Sequence, residues 1–214
     1  NHDELTLDKL SDSERKEVFE AFGPEPHMQL YGRGLRRRVP TMFEGDQHWI
    51  RMAYSLMFSL PGTPTLFYGE EIGMAENLDI DDRMAVRTPM QWSGDEAGGF
   101  SSAPADGLVR KMPTDPRFSP RAVNVRDQRT DPDSLLSWFE RLIRVRKESP
   151  EVGWGECTIL PTKASSVLAL RHRWDGHQVI TVHNLAGKSR RVRLEVDEPQ
   201  RADRQPEFTQ LDIE

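Results

Sequence analysis

The sequence has one cysteine and no long apolar run. Because Cys157 is alone among 214 residues, neither an intrachain disulfide nor a cage of thiolates around a metal ion can form. A lone thiol fits a reducing, cytoplasmic setting, although a secreted protein without disulfides would look the same. No stretch of about 18 apolar residues is present, so no segment of this sequence is predicted to span a membrane.

The sequence also has no excess of positive charge. Lys and Arg number 29 and Asp and Glu number 35, which gives a formal net charge of −6. This balance disfavours a nucleic-acid partner, because it provides no broad positive field to attract phosphates. The one notable basic cluster, from Arg36 to Arg38, is interpreted as a solvated or ion-paired loop.

The first part of the chain shows the periodicity of an α/β domain. Ser11 and Glu14 form a capping box that predicts a helix over 11–22. Apolar spacing predicts further helices over 46–60 and 131–149. The apolar run 65–68 is expected to be a short strand in the middle of a covered parallel sheet. Between 74 and 130 neither helical nor strand periodicity persists, which indicates a long ordered loop of the kind that forms lids and binding surfaces.

The sequence pattern changes near residue 150, from helical spacing to short strands joined by turns. Short strands are predicted over 157–160, 167–173, 178–183 and 191–196, joined by tight turns such as Asp175-Gly176. In the last strand apolar and charged residues alternate, as in a half-buried antiparallel sheet. We therefore predict an α/β domain over 1–150 and an all-β domain over 151–214.

Two polar residues stand where chemistry could occur in the α/β domain. His2 and Asp3 lie just where a strand would end if the helix from residue 11 packs back on it. In a parallel α/β barrel the reacting groups lie at the carboxyl ends of the strands. The alternative is that they are ordinary polar residues at a frayed terminus.

A second candidate is the carboxylate pair Glu70 and Glu71, which follows the predicted strand. Neighbouring residues of an extended chain point to opposite sides, so these two cannot flank one glycosidic bond. At most one of them faces a site while the other holds neighbouring backbone. We favour structural roles for both.

The stretch RTPMQW places Arg87 and Trp92 in one loop. An arginine can bond sugar hydroxyls through its planar fork, and an indole can stack on the apolar face of a sugar. A salt bridge and a loop anchor are equally open at this point. A metal site built from His172, His177 and His183 is disfavoured, because they have no ligand spacing and each is explained as a surface residue.

Four motifs occur in one order: NHDE at 1–4, PGTP at 61–64, YGEEIGM at 68–74 and RTPMQW at 87–92. Together they resemble the C-terminal part of the alpha-amylase family of glycoside hydrolases, over about residues 1–150. The β domain is similar to the C-terminal domain of that family in position and texture. The resemblance implies the C-terminal portion of a (β/α)8 TIM barrel, followed by a small antiparallel β-sandwich.

The resemblance also implies residue roles. Asp3 would end the seventh barrel strand and stabilise the transition state, and His2 would hydrogen-bond the same sugar. Arg87 and Trp92 would bind substrate. The nucleophilic Asp and the acid/base Glu of the family come from earlier strands, so this chain resembles a fragment that needs a missing N-terminal barrel portion as its partner. No cofactor is expected in this chain, and calcium in the missing part is left open.

Within the family, NHDELT, GRGLRRR and AYSLMFSLPGTP are most similar to the branch that rearranges maltose into trehalose by retaining glucosyl transfer. Hydrolysis by an alpha-glucosidase or amylase is the nearest alternative. An alternative from another class is a free-standing carbohydrate-binding or interaction module. The isolated chain is expected to be unstable and to show no turnover, because strand and helix faces of residues 1–150 lack partners within it.

Overall fold

The computed structural model describes residues 5–196 and the backbone of residues 207–213. The α-helices in this part of the chain are α1 (Asp12–Phe22), α2 (Val39–Met42), α3 (Gln47–Ser59), α4 (Val125–Gln128), α5 (Leu135–Glu148) and α6 (Pro150–Trp154). The strands are β1 (Leu5–Thr6), β2 (Gln29–Leu30), β3 (Gly34–Leu35), β4 (Glu156–Leu160), β5 (Val167–Trp174), β6 (His177–Asn184), β7 (Arg190–Val196) and β8 (Glu207–Ile213).

The predicted capping box begins α1. The Ser11 hydroxyl accepts from the Glu14 amide at 3.4 Å, and a Glu14 carboxylate oxygen accepts from the Ser11 amide at 2.8 Å. The helix ends where Gly23 donates its amide to the Phe19 carbonyl. Its predicted limits are therefore confirmed, because the residues that set them are neighbours in sequence.

The helix predicted from residue 131 begins later, at Leu135. The Ser134 hydroxyl accepts from the Ser137 amide at 3.2 Å, which satisfies one of the unpaired donors of the first turn. The predicted proline of that first turn lies instead in the turn before the helix. After α5 ends, α6 starts with Pro150 at its first position, a short helix that the sequence analysis missed.

The strand expected over 65–68 is wrong in the structure, which has irregular backbone there. A strand needs a neighbouring strand to receive its hydrogen bonds, and no described strand pairs with this run. The Phe67 amide donates instead to the Glu70 carboxylate at 3.0 Å. The region before α3 also contains a small antiparallel sheet of β1, β3 and β2, for which the sequence carried no strand prediction.

The predicted antiparallel strands after residue 150 are confirmed. β5 lies between β4 and β6, and β7 pairs with β8. The β5–β6 connection is a two-residue turn in which Asp175 has φ 47° and Gly176 has φ 77°, values typical of the type I′ turn that suits a hairpin. Whether these sheets form a sandwich stays a prediction.

The chain divides into two compact units. Unit 1 contains the described residues up to Ile50 together with Thr65–Glu140, and unit 2 contains Arg51–Pro64 together with the described residues from Arg141. Unit 1 has an apolar cluster of Ile72, Met74 and Met90, and unit 2 has one of Leu160, Ala169 and Leu194. The predicted domain boundary near 150 stays a prediction. No helix of the described residues is long and apolar enough to cross a membrane.

Candidate functional site

A cavity of about 700 Å³ lies in unit 1, on the irregular segment that follows residue 74. We refer to it as the unit 1 cavity. Residues from two stretches line it: Tyr68 and Glu71 from the first, and Arg87, Thr88, Pro89, Met90, Trp92, Phe100, Ser101, Ala103, Gly107, Leu108, Val109 and Arg110 from the second. The segment predicted to be a binding loop therefore supplies most of its wall.

The structure brings together two of the residues singled out from the sequence. Arg87 follows the 3-10 helix Asp82–Val86, and Trp92 lies five residues further along the same cavity wall. The Trp92 side chain is 52% exposed, so its ring is available to a ligand. Their roles in binding stay a prediction. His2 and Asp3 lie outside the described residues.

The backbone of Trp92 is held from two directions. Its amide donates to the Gly98 carbonyl at 2.7 Å, and its own carbonyl accepts from the Arg126 amide at 3.0 Å. Gly98 has φ 64°, a left-handed conformation that favours glycine, and a Cβ there would lie 2.8 Å from the terminal methyl group of Met112. The neighbouring Gln91 is fully buried and donates its amide nitrogen to the carbonyls of Phe118 and Val123.

Tyr68 was read from the sequence as part of a buried strand, and in the structure it lies at the cavity. Its hydroxyl donates to the Thr88 carbonyl at 2.7 Å, which ties the two stretches of the wall together. Burial raises the pKa of the Tyr68 phenol, although the charges of Arg38 and Arg87 oppose that rise. The phenol therefore acts here as a hydrogen-bond donor.

Behind the wall lies Arg38, which is only 3% exposed. Its guanidinium donates to the Tyr68 carbonyl at 2.9 Å and, through two nitrogens, to the Val86 carbonyl at 3.1 and 2.7 Å. The cation also lies over the Phe67 ring, 4.7 Å from its centroid. One side chain thus positions both the residue at the start of the wall and the residue before Arg87.

The interpretation of the arginine cluster as a solvated loop is wrong for Arg36 and Arg38, since both are buried. The ion-paired alternative holds for Arg37, which lies 2.7 Å from the Glu76 carboxylate. Glu76 also accepts from the Arg38 amide at 2.9 Å and the Thr41 hydroxyl at 2.6 Å. The partners lie about forty residues away in sequence, so local charge patterning could not reveal them.

The two carboxylates Glu70 and Glu71 lie in the 3-10 helix Glu70–Ile72 and take different surroundings. Glu70 accepts from the Phe67 amide, and burial raises the pKa of its carboxyl group. Glu71 lines the unit 1 cavity. Glu70 thus accepts from backbone while Glu71 lies at the cavity. The extended backbone on which the sequence argument depended is wrong here, because both residues lie in a 3-10 helix. A structural role for Glu71 stays a prediction.

The explanation of the histidines as surface residues is wrong for two of them. His172 is fully buried and His183 is 5% exposed. The His183 Nε2 atom lies 3.2 Å from the Ser55 hydroxyl and 3.4 Å from that of Ser59. Among the described residues, no group of three or more His, Cys, Asp or Glu could hold a metal ion.

Two exposed apolar residues of the cavity were not predicted as site residues from the sequence. Phe100 is 56% exposed and Val109 is 88% exposed. Their only sequence signal was the presence of apolar residues in a segment without periodicity. Exposed apolar side chains around a cavity are typical of a surface that binds a ligand with apolar faces.

The sequence matches the family model described as the alpha-amylase catalytic domain over residues 35–155. That range covers more than half of the chain. The chain belongs to the alpha-amylase family.

Two curated relatives cover most of the chain. The trehalose synthase of Thermus thermophilus is 40% identical over 187 residues, which is 87% of this chain and 19% of that protein. The trehalose synthase/amylase TreS of Mycobacterium tuberculosis (strain ATCC 25618 / H37Rv) is 36% identical over 201 residues, which is 92% of this chain and 33% of that protein. The chain therefore spans about a fifth to a third of the length of these relatives.

A solved structure shares the fold. The isomaltulose synthase mutant D241A from Erwinia rhapontici NX5, in complex with D-glucose, matches with a TM-score of 0.65 at 19% identity. The match covers 84% of this chain and 40% of that chain. At this identity the likeness concerns the fold, which is that of alpha-amylase family enzymes.

Proposed function

We propose that the chain is part of a longer enzyme that interconverts maltose and trehalose by transferring a glucosyl unit within its own site. The observation that carries this proposal is the 40% identity over 187 residues to a protein named trehalose synthase. The motifs NHDELT and AYSLMFSLPGTP point to the same branch of the family. Maltose and trehalose are then the small-molecule partners.

In this proposal residues 1–150 complete a (β/α)8 barrel whose other strands come from the remainder of the enzyme. The residues after 150 form the small antiparallel β-sandwich that accompanies the barrel. The antiparallel pairing of β4, β5 and β6 supports the second part. The mainly irregular backbone between α3 and α5 supports the first, because βα connections build the active sites of such barrels.

The proposed reaction is a retaining displacement. A carboxylate attacks the anomeric carbon while an acid protonates the leaving oxygen, through a transition state with oxocarbenium character. Both of these groups come from the remainder of the enzyme. Asp3 would contribute a negative charge that interacts more strongly with the developing cation than with the neutral sugar, and His2 would hydrogen-bond the same glucosyl unit.

The unit 1 cavity would receive the sugar. Arg87 can donate to hydroxyls through its fork, and the half-exposed indole of Trp92 offers a flat apolar face. Phe100 and the residues around it would exclude water, so that the glucosyl unit on the attacking carboxylate passes to the anomeric hydroxyl of the retained glucose, which reforms the free carboxylate, and not to water. Tyr68 would hold the wall in shape through its bond to the Thr88 carbonyl.

The product formed from maltose tests the proposal. We expect the intact enzyme to convert maltose mainly into trehalose, measured by chromatography of the reaction mixture. An alpha-glucosidase or amylase activity is the second candidate, and the name trehalose synthase/amylase of the mycobacterial relative favours it. Mainly glucose as product would overturn the isomerase proposal and support the second candidate.

A shortened loop tests the exclusion of water. The backbone–backbone bonds of residues 101–108 run within the segment, such as those from Gly107 to Pro104 and from Leu108 to Ala105. The exposed Lys111 ammonium also donates to the Asp106 carbonyl. Removing residues 101–107 should therefore leave the fold intact and open the cavity. We expect the glucose fraction to rise several-fold at the expense of trehalose. An unchanged product ratio would show that this segment does not exclude water.

Removing the indole ring of Trp92 tests whether the cavity binds the sugar. Trp92→Ala should raise KM for maltose about tenfold, because a stacked aromatic contributes on the order of 1 kcal/mol beyond its area, while Trp92→Phe should keep most of the affinity. The matched control is Ile159→Ala, an exposed apolar residue of unit 2. An equal effect of both alanine variants would remove Trp92 from the binding surface.

A further inference from the structure

Unit 2 presents two tryptophan side chains on its surface. Trp154, the last residue of α6, is 75% exposed, and Trp174, the last residue of β5, is 46% exposed. Their ring centroids are 6.5 Å apart and their planes are inclined by 37°. We call them the Trp pair. Leaving two large apolar rings in water is unfavourable, so a pair kept together at the surface calls for a function.

The backbone fixes the position of this pair. α6 packs against β5 and β6, and Gly155 joins it to β4. A Cβ at Gly155 would lie 2.6 Å from the Arg173 carbonyl and would collide with the Glu151 carbonyl. Only glycine lets the end of the helix approach β5 so closely. Trp174 is held in turn by the tight turn at Asp175-Gly176. Regular secondary structure therefore fixes the positions of both rings.

A groove of about 310 Å³ adjoins Trp154. Gly62, Thr63, Pro64, Arg146 and Gly153 form the rest of its lining. The guanidinium of Arg146 is held in place by the Phe58 carbonyl at 2.6 Å and the Gly62 carbonyl at 2.7 Å. The site therefore combines flat apolar faces with an anchored cation and a hydroxyl, a mixture that suits a neutral polyhydroxy ligand.

We propose that the Trp pair and this groove bind an α-linked glucose chain of the maltooligosaccharide type. Indole faces stack on the apolar faces of sugar rings, while the groove supplies polar partners for their hydroxyls. The inclination between the two rings matches a curved chain, such as an α-1,4-glucan, better than the flat ribbon of a β-1,4-glucan. The proposal rests on the alpha-amylase membership and not on which product maltose gives.

A second copy of the chain fits this surface less well. From the two exposed fractions, the pair offers roughly 300 Å² of ring surface, whereas a stable protein interface buries about 800 Å² on each partner. A glucan of a few residues needs a far smaller area. The observations therefore favour a sugar ligand over a protein one.

Electrophoresis in gels with and without soluble starch tests the proposal on the intact protein. We expect starch to retard the protein, and the double variant Trp154→Ala/Trp174→Ala to weaken the apparent affinity at least tenfold. Conversion of the disaccharide maltose should stay unchanged. That unchanged conversion shows that the alanine variant is folded. Replacing both residues by Tyr, which keeps flat rings, should preserve most of the retardation.

Controls distinguish the alternatives. Ile159→Ala, a variant of an exposed apolar residue on the same unit, should be retarded like the unmodified protein. In titrations, maltoheptaose should bind through the pair and cellohexaose should not. Retardation that survives the double alanine variant, or equal binding of both oligosaccharides, would overturn the proposal. A dimer in light scattering that the double variant abolishes would overturn it in favour of a second copy.

Discussion

The two units of this molecule are stabilised in different ways. In unit 1 the regular elements are short, and buried polar side chains bond to backbone that is distant in sequence, as Arg38 does with Val86 and Gln91 with Phe118. In unit 2 the strands β4, β5 and β6 satisfy one another's backbone groups, and Leu160 and Ala169 of this sheet form an apolar cluster with Leu194 of β7.

This difference teaches where a binding site can be built. Irregular backbone exposes amides and carbonyls that a ligand could use, but buried ones need partners. Unit 1 supplies those partners from side chains, so its cavity wall can follow a path that no helix or strand would allow. In unit 2 the backbone groups of the strands bond to one another within the sheet. The ligand surface proposed there relies instead on side chains at the ends of α6 and β5.

The largest effect is expected in the polar centre of unit 1. Glu76→Ala should lower the free energy of unfolding by about 3–5 kcal/mol, because it leaves the partly buried charge of Arg37 without its carboxylate and the Arg38 amide without an acceptor. Urea unfolding of the intact protein measures this. Glu20→Ala removes only an exposed pair with Lys16 and should change the value by less than about 1 kcal/mol. Equal effects would show that the Glu76 network does not hold unit 1.

The next effect is expected in the apolar centre of unit 2. Leu194 is 1% exposed and packs with Leu160 and Ala169. Leu194→Ala should cost about 3 kcal/mol through lost burial and the cavity it leaves, as judged by the same urea experiment. Leu185→Ala, at a side chain that is 40% exposed, should cost less than about 1 kcal/mol. If Leu194→Ala were as mild as its control, the sheet hydrogen bonds alone would hold unit 2.

A smaller effect is expected at the hairpin turn. Gly176 has φ 77°, and a Cβ there would meet nothing within 4 Å, so the cost of Gly176→Ala is conformational and of about 1 kcal/mol. Gly187 also has open space, but it lacks a positive φ. Gly187→Ala should therefore be neutral or slightly stabilising. Thermal unfolding of both variants measures the difference, and identical melting temperatures would contradict the strained turn.

The smallest effect is expected in the pH dependence of the stability of unit 2. Burial lowers the pKa of His172 and His183 below the 6.5 of an unburied histidine. The unfolded chain then binds protons before the folded one does, so stability is fully present above pH 6.5 and falls as the pH drops from there towards the folded pKa values.

Urea unfolding at pH 8 and pH 6 measures this dependence. Replacing both buried histidines with Gln should flatten it, whereas His177→Gln, at an exposed position, should leave it unchanged. A steeper loss of stability after removal of His172 and His183 would contradict the assignment.

The features that could be predicted from the sequence are those set by neighbouring residues. The limits of α1 depend on Ser11, Glu14 and Gly23, and the β5–β6 turn on Asp175 and Gly176, so local signals were enough. Arg87 and Trp92 were expected at one site because six residues of one loop contain both. Strands of two residues, such as β2 and β3, carry no period to detect.

The unpredicted features depend on distant partners. The environment of the arginine cluster is set by carbonyls more than forty residues away, and pattern reasoning has no access to such pairs. The burial of His172 and His183 is likewise decided by what covers their strands. The strand expected over 65–68 failed for the same reason, since an apolar run becomes a strand only beside another strand.

The position of Arg38 behind the cavity wall has a consequence for how this region can vary among relatives. Its planar fork joins the carbonyls of Tyr68 and Val86, which lie 30 and 48 residues away along the chain. A shift in either backbone segment changes the geometry that the guanidinium must meet. We therefore expect substitutions that change which sugars fit the wall to be accompanied by changes at position 38, which is not part of the cavity lining.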